Sequence, residues 1–564
     1  MTSSSLFTQL DLGKRSLMAQ QAGTSVTGHN IANIGNDGYS RQRVRLEPQH
    51  PGKSRFGSGV DMKGVDRVTD RFLNTRLISE QARFGQTETR TQGLRRLETL
   101  VNETEGGGLR AAVNQFWSAW GAVANAPEAE IYRTDLINAG NTLARRVSGM
   151  AQDLSHLRQE FNGRLSERVL KVNELASTIA TLNEKIQQVE QGAGETNDLR
   201  DQREATLKQL SRLVQVDWFE NSQNVMEVTV GNGFPLVHGR RANALEASFE
   251  NKENAFFSLR GLDPKGVSRD LTQEVRGGEL PELIALRDDT VVRFSKNLDQ
   301  VAAELAFQVN RIHSTGTGLN TRFNQLNSSF ALKADARDKP LPFLKDGNFR
   351  VHLVDHNNEF LETYEVPVHA GQDTLEDIVQ RINATVGDPK LLAARINNDG
   401  SVSLASQGSN QFVLGQDDTD FAVLMGFNNF FETLHGASDF RVNAQLAANP
   451  NRIAAGRGLL PGDNSVALAI HDLQFQPTMD GGAITFDEFY NGMVADLGLQ
   501  INRAETDQKN QALIVDQFQK LRDEVSSVNM DEEVANMVQY QRGFEAAAKF
   551  INTVDDMTKT VINL

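Results

Sequence analysis

Two histidines four residues apart, His352 and His356 in "FRVHLVDHNNEF", have the spacing of a metal-ligand pair. That spacing brings two rings together only on a helix, whereas this segment alternates like a strand and turns at Asn357-Asn358, so the rings part. Asp355, Asn357 and Glu359 begin like a calcium loop, yet Phe360 stands at the obligatory glycine position and no Glu closes the loop. "GNGFPLVHG" has glycines without the Lys and Ser/Thr of a phosphate loop and reads as a β-turn. There is no Gly-x-Ser-x-Gly stretch. Cys is 0, which removes thiolate nucleophiles, disulfides and cysteine zinc sites together. The adjacent acids Asp417-Asp418 and Asp555-Asp556 point apart on either a strand or a helix. The expectation is a chain with no catalytic, cofactor or metal residue, and not an enzyme.

Charge narrows the partners. The net charge of −15 argues against nucleic acid, whose phosphates need a cationic surface. Residues 1–100 nevertheless carry 15 Lys and Arg against 9 Asp and Glu, a surplus of 6 that leaves 21 net negative charges on the rest. A basic end would then meet acidic neighbours. No apolar run approaches the roughly 18 to 20 residues that cross a bilayer, and "MTSSSLFTQLDLGK" has no basic segment leading into an apolar one. Neither membrane insertion nor an ordinary signal peptide is expected.

With no reactive centre, the chemistry to explain is that of helix faces. At 564 residues the chain is too long for one core, and roughly four domains are expected. Leu6, Leu10, Leu17 and Ile31 share a thin helical stripe, with Gly13, Thr24 and Gly28 at the intervening turns. At the other end Val534, Met537, Phe544, Ala548, Ile551, Thr558 and Ile562 recur every three or four residues. Asn529 reads as the N-cap of that helix, Glu532 as its returning carboxylate, and Asp531 to Glu533 suit the positive end of the dipole. Between the ends, a heptad-like series runs from Leu143 through Val147, Leu154, Phe161, Val172, Ile179 and Ile186 to Val189 and stops at Gly192 and Gly194. At ~1.5 Å per residue that is a rod of roughly 70 Å.

Further helices are expected at "LRRLETLV", "LRAAVNQFWSAWGAVA", "RDQREATLKQLSRLV", residues 281–312 and a long stretch before Asn529. Phe116, Trp117 and Trp120 sit at helical spacing, as core of the rod or as an inter-subunit anchor. Strand signals are confined to "VDWFENSQNVMEVTVGNGFPLVHG", turning at Gly231 to Gly233, and to about 340–445, where one helix falls around "TLEDIVQRIN".

Helix at both ends with strand between implies nesting: a multidomain α+β chain whose N- and C-terminal helices pair as a coiled coil, outside a long helical rod that carries inserted β-rich domains. The expected domains are 1–50 plus 528–564 for the terminal pair; 51–216, 281–318 and 450–527 for the rod; and β-rich inserts at 217–280 and 319–449. The terminal helices offer few apolar side chains for the backbone they must order, so each is expected to be loose alone and to order when copies pack together.

"GHNIANIGNDGYSRQRVRL" is where the N-terminal helix becomes a strand. Gly35 can take the left-handed conformation of a helix stop, and Asn36-Asp37-Gly38 are turn formers. From Tyr39 on, Arg41, Arg43 and Arg45 share one strand face, either solvated or an inter-subunit strip, and Val44 and Leu46 share the other.

At these residues the chain resembles the axial proteins of the bacterial flagellum. "NIAN" at Asn30 to Asn33, with Gly38, Tyr39 and Arg41, is similar to the N-terminal signature of rod, hook and hook-associated proteins. "NMDEEVANMVQYQRGFEAAAKFI" is similar to their paired C-terminal helix. His29, Gly35 and Asn36 depart from the pattern, which often has Asn, Asn and Thr there. The segments "TNDLRDQREATLKQLSRLVQV" and "GGELPELIALRDDTV" narrow the resemblance to the family of the first hook–filament junction protein rather than the hook protein or the second junction protein. It covers most of 1–315 and 450–564 and fades over 319–450.

The resemblance implies export through the flagellar type III apparatus and polymerisation at the distal end of the hook. It also implies contacts with the hook protein and the second junction protein, and a cytoplasmic export chaperone on the C-terminal helix. Asn30, Asn33, Gly38, Tyr39 and Arg41 then join the two helical stripes as expected assembly residues. Other readings are a secreted coiled-coil effector or adhesin, or an enzyme housed in 319–449, which would need paired acids or a metal cluster there.

Overall fold

The structure is a computed structural model that describes residues 3–36, 38–49, 59–101, 108–192, 195–249, 256–263, 265–319, 322–333, 337, 339–341, 343–355, 359–386, 391–458, 460 and 462–562. The chain divides into two compact units, one of residues 1–93, 159–287 and 501–564, the other of 94–158 and 288–500. The terminal helices and the 217–280 strands therefore fall in one unit, and the 319–449 insert falls in the other.

In the first unit the chain ends form two helices, Ser3–Ala32 and Met530–Ile562. A two-stranded antiparallel ribbon follows the N-terminal helix, with Gln42–Pro48 against Val60–Arg67, Val44 opposite Val65, and a bulge after Arg45. The long helix Glu130–Gln191 passes its C-terminal part to this unit. It starts 13 residues earlier than the heptad series indicates, because Leu136, Ile137 and Ala139 already bury the same face. It ends at Gln191; Gly194 lies outside the described residues.

Helix Asn197–Leu213 turns back into a meander of Val216–Glu220, Met226–Val230, Phe234–His238 and Arg241–Ala242, followed by the three-stranded sheet Ala244–Phe249, Phe257–Leu262 and Ser268–Asp270. The expected turn at Gly231 and Gly233 is present, with both in the left-handed region at φ +57 and +83. Val172, Ile179, Leu207, Leu210, Val228, Leu236, Leu259 and Leu271 share one core, so these strands close over the helices instead of standing apart.

In the second unit, helices Leu109–Asn125 and Val291–His313 carry the aromatic cluster. Phe116 and Trp120 are 0% exposed and Trp117 is 3% exposed. Their rings pack on Phe430, Phe431 and Phe486 at 5.2 to 6.3 Å between centroids, which makes them core. The 319–449 insert holds two three-stranded antiparallel sheets. One orders Phe360–Val368, Gly347–Val354, Gln411–Asp417; the other orders Gln325–Asn327, Val402–Ser406, Leu392–Ile396. The expected helix is Leu375–Thr385, capped by a reciprocal box between Thr374 and Asp377.

Candidate functional site

The two terminal helices lie side by side and antiparallel in a fixed register: Gly13 meets Ile551, Gln20 meets Gly543, and Gly23 meets Tyr540. A Cβ added at Gly23 would come within 2.5 Å of the Tyr540 ring, and one at Gly13 within 2.6 Å of Ile551. Small residues therefore set the spacing. The buried positions are Gly13, Ala19, Gly23, Thr27 and Asn30 on one helix and Glu533, Ala547 and Val554 on the other.

Apart from Ile551, which meets Gly13, the apolar stripes read from the sequence sit to the side of this seam. Leu6, Leu10, Leu17 and Ile31 are half-buried, as are Met537, Ala548 and Ile551. Val534 is 49% exposed and Phe544 38%. Gly28 has no neighbour within 4 Å, so it does not fill the seam. Ile562 is the last residue of its helix, and its side chain is outside the description. Phe7 at 67% and Met557 at 54% extend the exposed apolar surface of the pair. Each end thus finds its first partner in the other end of the same chain, and the pair still presents apolar side chains to solvent.

What locks the pair is polar. The Asn30 amide, 1% exposed, donates from Nδ2 to the Gln42 carbonyl at 2.9 Å and to Glu533 Oε2 at 3.0 Å. Its Oδ1 accepts from the Tyr39 hydroxyl at 2.8 Å and the Gln42 amide at 2.9 Å. All four positions of the amide are used, as burial of a polar group demands. Glu533, 2% exposed, takes its second bond from Arg41 Nε at 2.8 Å, while Arg41 Nη1 reaches Glu532 at 2.7 Å. The Arg41 amide donates to the Ser526 carbonyl at 2.8 Å. Four residues of the "NIAN…GYSRQ" stretch thereby hold the first turn of a helix 500 positions away.

Several local expectations are corrected here. Arg41 belongs neither to a solvated arginine face nor to a free strip, because its guanidinium is committed to the C-terminal helix. Glu532 does not fold back on Asn529 and bonds Arg41, while Asn529 Oδ1 still caps by accepting from the Asp531 amide at 2.9 Å. Gly35 is not in the left-handed region; the helix ends through successive tight turns, Asn33 to Asn30, Asn36 to Asn33 and Tyr39 to Asn36. Asn33 Nδ2 donates to the His29 carbonyl at 3.0 Å, and the Gly38 amide donates to Asn36 Oδ1 at 3.3 Å; Asp37 lies outside the described residues.

A second layer of acids supports the first. The Ser40 amide donates to Asp201 at 2.8 Å, and Arg67 spans Asp201 at 2.8 Å and Glu204 at 2.7 Å. Gln42 Nε2 donates to Asp198 at 2.8 Å. Burial, reinforced by the carboxylates of Asp198, Asp201 and Glu533, pushes the Tyr39 hydroxyl above its ordinary pKa and keeps it a neutral donor. Asp198, Asp201 and Glu204, three apart on helix Asn197–Leu213, were not singled out in the sequence. Their signal was the basic surplus of the first 100 residues, which meets acids of its own chain.

The candidate chemical residues are placed as follows. His352 Nδ1 bonds the Thr363 hydroxyl at 2.7 Å across a strand pair, and burial together with Arg350 lowers its pKa. His356 and Asn357 lie outside the described residues. Asp417 accepts from the Thr419 and Ala422 amides, and Asp418 pairs with Arg350 at 3.2 Å. Asp555 and Asp556 both face Lys559. Among the described residues no group of three His, Asp or Glu could hold a metal ion.

Comparison with known proteins bears on this geometry. Residues 94–327 match the family described as the helical domain of flagellar hook-associated protein FlgK, and residues 522–564 match the flagellar basal body rod FlgEFG protein C-terminal family. Across 99% of the chain and 98% of the relative, the sequence is 26% identical to flagellar hook-associated protein 1 of Bacillus subtilis. It is 23% identical to the proteins of that name from Salmonella typhimurium and Escherichia coli, over 97% of the chain and 98% of each relative. The fold is similar to the flagellar hook junction protein FlgK of Burkholderia pseudomallei, with a TM-score of 0.54 and 16% identity over 80% of this chain and 100% of the other.

Proposed function

We propose that the chain, similar over nearly its whole length to flagellar hook-associated protein 1, is a structural subunit of the bacterial flagellum, polymerised at the distal end of the hook as an adaptor between hook and filament. The observation that carries this reading is the antiparallel terminal pair, locked by Asn30, Arg41 and Glu533, which leaves Phe7, Val534, Phe544 and Met557 on its outer surface. Apolar side chains displayed on a polar-locked helix pair suit burial against neighbouring helices, and sibling copies supply the same pair. The assembly residues are then Leu6, Leu10, Leu17, Ile31, Val534, Met537, Phe544, Ala548, Ile551 and Ile562 as contacts, with Asn30, Tyr39 and Arg41 holding their register and Asn33 and Gly38 shaping the turn between them.

The hook protein on one side and the second junction protein on the other are its axial neighbours. Before export the C-terminal helix is held by a cytoplasmic chaperone that covers the same apolar face, and the exported chain resides at the hook–filament junction. The protein does this by packing and not by catalysis. Among the described residues no helix is long and apolar enough to cross a membrane.

Deleting the gene tests the reading. The expected result is cells that bear hooks, lack filaments and shed unpolymerised flagellin, with recovery when the full chain is restored. Intact filaments in the deletion strain would overturn it.

A further inference from the structure

Three Asn-Gly steps occur in the chain, at Asn162-Gly163, Asn232-Gly233 and Asn491-Gly492. In such a step the glycine amide nitrogen can attack the asparagine carboxamide, because no Cβ shields it. The dipeptide is the same at all three positions, and the fold separates them.

Asn162 lies inside helix Glu130–Gln191 and is 8% exposed. Its Oδ1 accepts from the Phe257 amide at 2.8 Å and from Arg287 Nη1 at 2.6 Å. Asn491 lies inside helix Phe486–Ser526 and donates from Nδ2 to Asp487 at 3.0 Å. Within a helix the following amide is tied to the carbonyl four residues back and the backbone torsions are fixed. At both positions ring closure waits for local opening of the helix.

Asn232 is the middle residue of the three-residue turn between strands Met226–Val230 and Phe234–His238. It is exposed, between Gly231 and Gly233 with their positive φ. Among the described residues neither its carboxamide nor the Gly233 amide has a hydrogen-bond partner. A Cβ added at Gly233 would meet nothing within 4 Å, so approach to that nitrogen is unobstructed.

We propose that Asn232 is a site of spontaneous deamidation, the one of the three Asn-Gly steps that the folded chain leaves reactive. The Gly233 amide gives its proton to hydroxide and its nitrogen closes on Asn232 Cγ. The Cγ–Nδ2 bond breaks, and Nδ2 leaves as ammonia after taking a proton from water, which restores the hydroxide. Water then opens the succinimide. Cleavage at Cγ gives aspartate, and cleavage at the main-chain carbonyl gives isoaspartate, whose backbone runs through the side chain and is one methylene longer. No oxidant or cofactor is consumed, and either product adds a negative charge to the turn.

The test is incubation of the purified full chain at pH 7 and pH 8, folded or in guanidinium chloride, followed by proteolysis and mass spectrometry of the three Asn-Gly peptides. In the folded chain the Asn232 peptide should convert at least about tenfold faster than those of Asn162 and Asn491. It should give two separable products of equal mass, aspartate and isoaspartate, and its rate should rise severalfold from pH 7 to pH 8. In guanidinium chloride the three rates should converge to within about threefold, since no helix then holds the other two steps. Equal rates in the folded chain, aspartate as the single product, or Asn162 and Asn491 staying slow when unfolded would each overturn the proposal.

Discussion

Replacing Asn30 with alanine removes the side chain on which the terminal pair converges. The substitution leaves the Tyr39 hydroxyl and the amide and carbonyl of Gln42 without their partner in a buried site, and it strips one of the bonds to Glu533, which keeps Arg41. Three neutral buried groups orphaned at ~1 to 3 kcal/mol each, less what local relaxation and water recover, give a loss of about 3 to 5 kcal/mol. The assay is urea unfolding of the full chain combined with native-state hydrogen exchange over 530–547. Exchange there should quicken by two to three orders of magnitude, as expected from ~1.4 kcal/mol per tenfold, while helix Leu109–Asn125 in the other unit keeps its protection. Asn33→Ala is the control: that side chain bonds only a carbonyl one turn back, so a change of about 1 kcal/mol or less is expected. A loss below about 1 kcal/mol in Asn30→Ala, or equal loosening of both units, would refute the reasoning.

Three other outcomes follow from the same geometry. Gly23→Ala drives a methyl into the Tyr540 ring at 2.5 Å and should cost about 1 to 3 kcal/mol despite alanine's better helix propensity; Tyr540→Ala in the same chain should recover part of it, as thermal melts of the four chains will show. His313, fully buried, donates from Nδ1 to the Asn428 carbonyl and accepts at Nε2 from the Ala454 amide, and burial first, then Arg133, hold its pKa down at about 4 against an ordinary 6.5. The folded chain therefore stays unprotonated where the unfolded chain takes up a proton. Stability is full above pH 6.5 and falls by about 3 kcal/mol on the way down to pH 4, a slope that urea melts at pH 7, 5.5 and 4 would detect and that His313→Gln should flatten. Val534→Asp and Phe544→Ser change exposed positions and should leave the unfolding free energy within about 0.5 kcal/mol of the parent's while abolishing filament attachment in motility plates.

How much of this could be read from the residues differs from element to element. The long helix announces itself because Val147, Leu154, Phe161, Val172 and Ile179 all bury one face. The terminal seam does not, since Gly13, Ala19, Gly23 and Gly543 pack by being small, and hydrophobic periodicity registers only what is large and apolar. The visible stripe of leucines marked instead the flank of the pair. Arg41 and Glu533 were each legible as charged residues in plausible local roles, one on a strand face and one at a helix start. Their bond spans 492 positions, and nothing local encodes it. Three of the four boundaries between the two units fall inside the continuous helices Arg71–Val101, Glu130–Gln191 and Phe486–Ser526, where neither composition nor turn residues change.

The central claim is that the paired ends carry a face that neighbouring subunits cover. Because the chain contains no cysteine, a single Val534→Cys reports on that face without background. Maleimide labelling of the purified chain should be rapid, and labelling of the same residue on hook-bearing cells with attached filaments should be slowed at least about tenfold, with a cysteine at exposed Phe475 as the external reference. Equal reactivity of Val534→Cys in the free chain and on the cell would contradict the account.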